Sequence, residues 1–254
     1  MNGYPKYKRN YSHFFAYWKV SFFSFAIFGG IQFIILMIIT PFFYSGGSWN
    51  NYLNQGYSFT WNYLSDLGMI YSLSGELNSL SRILFTTTLV IVGIAEIAFC
   101  CAFVLLFGKK QLSSLKITPL ITGLLYGLCY VIIGFLPLDI FSTPHTILVF
   151  ISSFLKFITI IFYIIIIFKN LDYPKFYAYL YISYQSIFLV FVFFLIISTN
   201  DLLLPFLPTC IVGQKITFYL EAIVFIIQAI GSLKFLLGKS KVINYNNANM
   251  IPLK

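Results

Sequence analysis

Six runs of predominantly apolar residues, each long enough to cross a membrane, dominate the sequence. A helix rises about 1.5 Å per residue and the bilayer core is roughly 30 Å thick, so a span needs about 20 apolar residues. Runs such as FITIIFYIIIIF are apolar on every side, whereas the strands of membrane barrels alternate. We therefore predict an all-α polytopic bundle of six transmembrane helices. The predicted spans are residues 20–44, 82–107, 117–136, 145–168, 176–199 and 215–237.

Composition agrees with lipid as the solvent of this chain. Hydrophobic residues make up 59% of the sequence and charged residues only 9%, too few to cover a water-soluble globule. We predict one transmembrane domain, residues 20–237, between a basic amino terminus (1–19) and a tail (238–254). The last residues of the tail, 244–254 (NYNNANMIPLK), are polar, and we expect them to lack regular structure.

Basic residues collect at alternate ends of the predicted spans. One side carries Lys6, Lys8, Arg9, Lys19, Lys109, Lys110, Lys116, Lys169, Lys175, Lys234, Lys239, Lys241 and Lys254. The other carries Asp66, Glu76, Asp139 and Asp201, with Arg82 and Lys215 at helix ends. The positive-inside rule then places both termini in the cytoplasm, in a chain we assign to the cell membrane. We ascribe the net charge of +9 to contact with membrane lipids, and we expect no nucleic-acid partner.

The connection after the first span is the only one long enough to build substantial structure outside the bilayer. It covers residues 45–81 and is rich in Tyr, Trp, Asn, Ser and Gly. This composition suits a folded or re-entrant segment, with its aromatic rings at the level of the lipid headgroups. We predict that it forms an extracytoplasmic cap segment.

A first group of polar residues maps to the outer ends of the spans. Its members are Asn62, Ser65, Asp66, Arg82, Asp139 and His145. One interpretation is an outward-facing pocket, in which Arg82 holds an anionic headgroup and Asp139 orients His145. The other is structural: Ser65 and Asp66 cap a short helix, and Asp139 holds a turn. The sequence leaves both open.

A second group lies near the middle of the spans. It consists of Gln32, Glu96, Lys156, Gln185 and Gln228. A lone charge at this depth costs about 2.5 to 3.5 kcal/mol, so we predict that Glu96 and Lys156 form an ion pair, with Glu221 as a rival partner for Lys156. The group is either hydrogen-bonding contact between helices or an ion or proton path.

Residue types argue against two kinds of enzyme. The two histidines, His13 and His145, fall on opposite sides of the membrane in the predicted topology and cannot share a metal ion. A serine hydrolase using Ser65 and His145 has no G-x-S-x-G context. The four cysteines show no C-x-x-C spacing. We expect no metal and no cofactor, and we lean away from enzymatic activity.

Three sequence segments resemble a prokaryotic membrane family. They are YSFTWNYLSDLG, GELNSLSRILFTTTLVIVG and LYGLCYVIIGFLPLDIFSTPHT. In their order and topology they are similar to the domain-of-unknown-function 998 family, over about residues 20–170. The resemblance highlights Ser65, Asp66, Gly68, Pro137, Asp139 and His145. That family is in turn similar to Frag/DRAM/Sfk-like proteins, which implies at most a link to lipid handling.

The chain departs from that family pattern at two places. Members often have Asp directly after the histidine, whereas Thr146 follows His145 here. GELN also stands where members often place Asn-Pro before the second span. The first departure puts a sequential His-Asp pair in doubt, so Asp139 would have to supply the acid.

Three functional hypotheses follow from these groups. The leading one is a membrane protein without assigned activity that binds a lipid or small amphiphile in the outward-facing pocket. The second is a proton- or ion-coupled transporter that uses Glu96 and Lys156. The third is a lipid-modifying enzyme based on Asp66, Asp139 and His145. Oligomeric state cannot be read from the sequence.

Overall fold

A computed structural model describes residues 7–107, 113–198 and 207–249 of the chain. Several residues used in the topology prediction lie outside these ranges, among them Lys6, Lys109, Lys110, Asp201 and Lys254. Thr199, the predicted end of the fifth span, also lies outside them.

Six long helices make up the described structure. They are α1 (Tyr7–Ile39), α2 (Ser79–Val104), α3 (Ser113–Phe135), α4 (Ser142–Lys169), α5 (Phe176–Ser198) and α6 (Leu207–Asn249). Each contains a segment long and apolar enough to cross a membrane. The fold class predicted from the sequence is therefore confirmed, and the chain is a multi-pass membrane protein.

Two helices extend much further than the predicted spans. Helix α1 already begins at Tyr7, within the predicted basic terminus. Helix α6 continues to Asn249, so the expectation of an irregular tail is wrong as far as that residue. The physical reason is that no glycine or proline occurs between residues 239 and 249, and extending an existing helix costs little per residue.

The six helices close a ring in chain order. Each helix packs against the next one along the chain, and α6 packs against α1. Helix α2 is the most enclosed, with 67% of its most apolar window buried, whereas α5 has only 28% buried and faces outward over most of its surface. Side chains that point into the ring from different helices can therefore meet near its axis.

Glycines set the separation of α2 and α3. A Cβ atom placed on Gly93 would lie 2.6 Å from the carbonyl oxygen of Gly127, which is closer than real Cβ contacts. Small residues at such positions let two membrane helices approach closely and gain van der Waals contact. This approach brings residues near Gly93 and Gly127 on the two helices to the same level.

Residues 45–78 fold into the predicted cap segment, since α2 begins at Ser79. Gly47 has a φ of +81°, and its amide donates to the Asn54 carbonyl over 2.8 Å. A Cβ atom there would lie 2.2 Å from the Ser74 nitrogen, so only glycine fits. The cap segment contains a short 3-10 helix, Leu64–Gly68, whose Leu64 and Leu67 pack against the helices of the bundle.

Buried apolar side chains form two clusters at different depths. The cap-side cluster includes Phe33, Leu67, Phe85 and Tyr130. The other cluster lies toward the end of the bundle where α1 begins, and it is largely aromatic. It includes Phe23, Phe99, Phe103, Tyr163 and Tyr173. Along α2, α4 and α6 the change from one cluster to the other occurs around Glu96, Lys156 and Glu221. The charged residues therefore lie between two apolar layers.

Lysines on the amino-terminal side of the bundle bind carbonyl groups at helix ends. Lys19 Nζ donates to the Leu105 carbonyl over 2.7 Å, and Lys175 Nζ to the Ile167 carbonyl over 2.8 Å. A positive charge is favourable at a helix carboxyl end, where the dipole is negative. The basic residues of this side thus stabilise the helices in addition to any contact with lipid headgroups.

Candidate functional site

Asp66 and Asn62 are the most enclosed residues of the predicted outer group. The side chain of Asp66 is fully buried within the cap segment. Three groups donate to Oδ2: Trp49 Nε1 at 3.1 Å, Asn62 Nδ2 at 3.2 Å and the Tyr63 amide at 2.9 Å. The other oxygen, Oδ1, has no hydrogen-bond partner. Asp66 and Asn62 therefore form one buried polar centre, not the wall of an open pocket.

Lys215 and Gln214 join the cap segment to α6. Lys215 Nζ donates to the carbonyls of Phe59 and Asn62, each over 2.5 Å. The same ammonium lies 4.9 Å from the centre of the Tyr57 ring, a favourable cation–π distance. Gln214 Oε1 accepts from the Leu64 amide at 3.0 Å. The cap segment is consequently held by the first turns of α6.

Asp139 and His145 each make a separate structural contact. The Asp139 carboxylate accepts from the amides of Ile70, at 3.1 Å, and Tyr71, at 3.0 Å. His145 Nδ1 lies 2.6 Å from the Leu136 carbonyl, near the end of α3. Asp139 therefore ties the turn between α3 and α4 to the cap segment, and His145 closes the same turn.

The remaining outer residues stay apart from these contacts. Ser65 is half-buried on the 3-10 helix. Arg82 is half-buried in the first turn of α2, and among the described residues its side chain makes no hydrogen bond or ion pair. The structure thus brings Asn62 and Asp66 together, anchors Asp139 to the same segment, and leaves Arg82 without a protein partner.

Burial changes the proton affinity of the cap segment. It raises the pKa of Asp66 to about 6, although hydrogen bonds from Asn62, Tyr63 and Trp49 and the charge of Lys215 act in the opposite direction. Burial also raises the pKa of Tyr63 to about 12. Asp66 therefore titrates near neutral pH inside the folded cap segment.

The mid-span ion pair involves a different carboxylate from the one predicted. Lys156 Nζ lies 2.5 Å from Glu221 Oε2; the lysine side chain is buried, and 13% of the glutamate side chain is exposed. Within the described residues Lys156 makes no ion pair with Glu96, so that predicted pair is wrong and the rival Glu221 is the partner. The reason is rotational: Glu221 on α6 faces α4 at the level of Lys156.

Tyrosine hydroxyls complete the surroundings of the two carboxyl groups. Tyr130 donates to Glu221 Oε1 and Tyr184 to Oε2, each over 3.1 Å. The Tyr126 hydroxyl hydrogen-bonds the Glu96 carboxyl. Glu96 is only 7% exposed, and it interacts electrostatically with both Glu221 and Lys156 without touching the ammonium. We call Glu96, Lys156, Glu221, Tyr126, Tyr130 and Tyr184 the mid-span cluster.

The three predicted mid-span glutamines act between helices. Gln32 Nε2 donates to the Thr88 carbonyl at 3.1 Å, and Gln185 Nε2 to the Phe157 carbonyl at 3.2 Å. Gln228 Nε2 donates to the Tyr177 carbonyl at 2.7 Å. Each of these bonds joins neighbouring helices, as polar side chains in membrane bundles commonly do. The glutamines therefore fit the interhelical-contact interpretation.

A small cavity opens beside the charged members of the mid-span cluster. Its volume is about 30 Å³, and its wall includes Glu96, Tyr126, Lys156, Tyr184 and Glu221. A second space of about 10 Å³, on the cap side, also contacts Glu96 and Glu221. Water needs roughly 10 to 15 Å³ and several polar partners, so the larger space can hold about two molecules.

Sequence reasoning placed Glu96, Lys156 and Glu221 in this region but missed the three tyrosines. Tyr126 and Tyr130 are four residues apart on α3, a spacing that puts them on one helix face. That spacing was the available signal. With 19 tyrosines in the chain, it did not stand out.

Comparisons with protein-family models, with curated proteins and with solved structures found no match to this chain.

Proposed function

We propose that this multi-pass membrane protein carries a small cation across the bilayer by means of the mid-span cluster. The observation that supports this most is the presence of a buried carboxyl group, Glu96, a buried lysine, the half-buried Glu221 and a water-sized cavity within a ring of membrane helices. Ionisable groups at this depth are costly and generally mark ion or proton pathways.

The charge of the cluster supports the proposal. Glu221 is neutralised by Lys156, which leaves Glu96 without a cation of its own among the described residues. An uncompensated charge is strongly unfavourable in a low-dielectric interior. The cluster is electrically balanced when one further positive charge is bound, so it has the composition of a site for a single monovalent cation.

Binding of a lipid or small amphiphile at the outer residues is the alternative proposal. One observation favours it: Arg82 has no protein partner among the described residues, so its guanidinium is available to an anionic headgroup. Asp66, Asp139 and His145, in contrast, are already occupied by the cap segment and the α3–α4 turn. These bonds also weaken the proposal of a lipid-modifying enzyme that uses the same three residues.

Reconstitution tests the transport proposal. Purified protein in liposomes, driven by a potassium diffusion potential, is expected to take up cations faster than protein-free liposomes. Glu96→Gln and Glu221→Gln are expected to reduce uptake to the protein-free rate. Glu76→Gln is the matched control, because Glu76 is exposed in the cap segment and its loss should leave uptake unchanged. Equal uptake by all three variants would contradict the role of the cluster.

We also propose that both termini are cytoplasmic, from the basic residues on that side of the bundle. Leu53 in the cap segment is 90% exposed and Leu171 between α4 and α5 is 92% exposed, so they form a matched pair on opposite sides. In intact cells a membrane-impermeant thiol reagent is expected to label Leu53→Cys, and Leu171→Cys only after permeabilisation. The native cysteines are buried or half-buried and provide the background signal. The reverse labelling pattern would invert the topology.

Membership of the domain-of-unknown-function 998 family stays a prediction from the quoted motifs. The same holds for membrane lipids as partners and for the cell membrane as the location.

A further inference from the structure

We infer that the transported cation is a proton and that Glu96 is the group that carries it. This inference rests on the proposed transport function and specifies its substrate. It depends on the size of the cavity, on the hydrogen bonds that already occupy the carboxylate oxygens of Glu221, and on the different surroundings of Glu96 and Glu221.

The cavity is too small for a metal ion that keeps its full shell of water. A space of about 30 Å³ accommodates about two water molecules, which is fewer than the water shell of a hydrated metal ion. Among the described residues, no three His, Cys, Asp or Glu side chains are grouped so that they could hold a metal. Hard cations such as Mg²⁺ and Ca²⁺ take about six or more oxygen ligands.

The carboxylate oxygens of Glu221 are already used. Oε1 accepts from Tyr130, and Oε2 accepts from Tyr184 and Lys156. A metal ion would have to displace these donors, including an ammonium of like sign. A proton needs only one free carboxyl oxygen, and it can move along hydroxyl groups and water.

Glu96 differs from Glu221 in having no ammonium in contact. Its carboxyl is hydrogen-bonded by Tyr126 on α3, and Lys156 on α4 is committed to Glu221 on α6. The titratable groups that face Glu96 from the surrounding helices are Tyr126, Tyr130, Lys156, Glu221, Tyr163, Tyr181, Tyr184 and Cys100. Lys156 is the only cation in this set, so a proton on Glu96 restores neutrality.

Both water-sized spaces touch Glu96. The larger contacts it beside Lys156, and the smaller contacts it on the cap side together with Phe33, Val92 and Tyr130. Protonation of Glu96 converts its carboxylate to a carboxylic acid, and release returns the same proton to water on either side. Because Glu96 borders both spaces, water in either space can exchange a proton with its carboxyl group.

Infrared difference spectroscopy of the reconstituted protein tests the assignment without relying on transport. Titration of the wild type is expected to reveal a protonated carboxylic acid band that shifts in heavy water. The band should be lost in Glu96→Gln and kept in Glu221→Gln. Tyr126→Phe should keep the band but change its frequency, because it removes the hydrogen bond to Glu96. If Glu96→Gln does not fold, this frequency change still assigns the band.

The outcomes separate the two proposals. Cation uptake that requires sodium or potassium and is insensitive to a pH gradient would overturn the proton inference and leave the transport proposal standing. Absence of a titrating band assignable to Glu96 would also overturn the inference. A Glu96 band in a protein that moves no cation would overturn the transport proposal, and with it the carrier role of Glu96.

Discussion

Replacing Lys156 with methionine is expected to lower the free energy of unfolding by about 3 to 5 kcal/mol, because it leaves the largely buried Glu221 carboxylate without its counter-ion. Methionine has a similar length and adds no charge, so lost packing contributes little. Replacing Glu221 with glutamine should also be destabilising, since the ammonium of Lys156 then has no anion. Chemical unfolding of the purified protein in detergent measures both losses.

The double variant decides whether the two residues are partners. Removing both charges of a buried pair is frequently close to neutral, so Lys156→Met with Glu221→Gln is expected to recover much of the loss. The control cycle pairs Lys156→Met with Glu96→Gln, which lacks the direct contact and should show weaker coupling. Additive losses for Lys156 and Glu221, or stronger coupling with Glu96, would contradict the ion pair in the structure.

Stability of the cap segment is expected to fall as pH rises from about 4 to above 6. The pKa of Asp66 is 3.8 in an exposed reference state and is raised to about 6 by burial, so the folded form binds the proton more tightly. Its favourable contribution is complete below the unfolded pKa and is lost as pH rises through the folded pKa. A pKa difference of about 2 corresponds to roughly 3 kcal/mol.

Hydrogen exchange of amides in the cap segment measures this effect. The Tyr63 amide is a direct reporter, because it donates to Asp66 Oδ2 at 2.9 Å. Asp66→Asn cannot ionise and is expected to lose the pH dependence of protection, after correction for the intrinsic exchange rate. Glu76→Gln, at an exposed site, should keep it. A wild-type cap segment equally protected across this range would show that Asp66 remains in one protonation state.

The Lys156–Glu221 ion pair and the buried Asp66 belong to two polar regions that both contact α6. Lys215 and Gln214 hold the cap segment on α6, and the same helix carries Glu221 further along. Leu64 and Leu67 of the cap segment pack in the same cluster as Tyr126 and Tyr130. The cap segment therefore covers one side of the mid-span cluster through apolar contacts, while the charged residues of the cap segment remain at the ends of the helices.

The sequence by itself determined the number, class and approximate limits of the helices. Lipid offers no hydrogen bonds to the backbone, so every backbone N–H and C=O group of a span needs a partner within the protein. A single apolar run that crosses the bilayer meets this requirement by itself only as a helix. The sequence also determined the separation of basic and acidic ends and the presence of a folded cap segment. These properties are local, because they depend on the length and composition of each run.

Only the tertiary structure decided which side chains meet. Spans such as α5 are apolar on nearly every side, so periodicity does not show which face points into the ring. The partner of Lys156 depends on the rotation of α6 about its axis, and the roles of Asp139 and His145 depend on where the cap segment rests. Rotation and docking are set by packing between helices, including the close approach at Gly93 and Gly127. Those contacts join residues far apart in the chain, and no single run of sequence contains them.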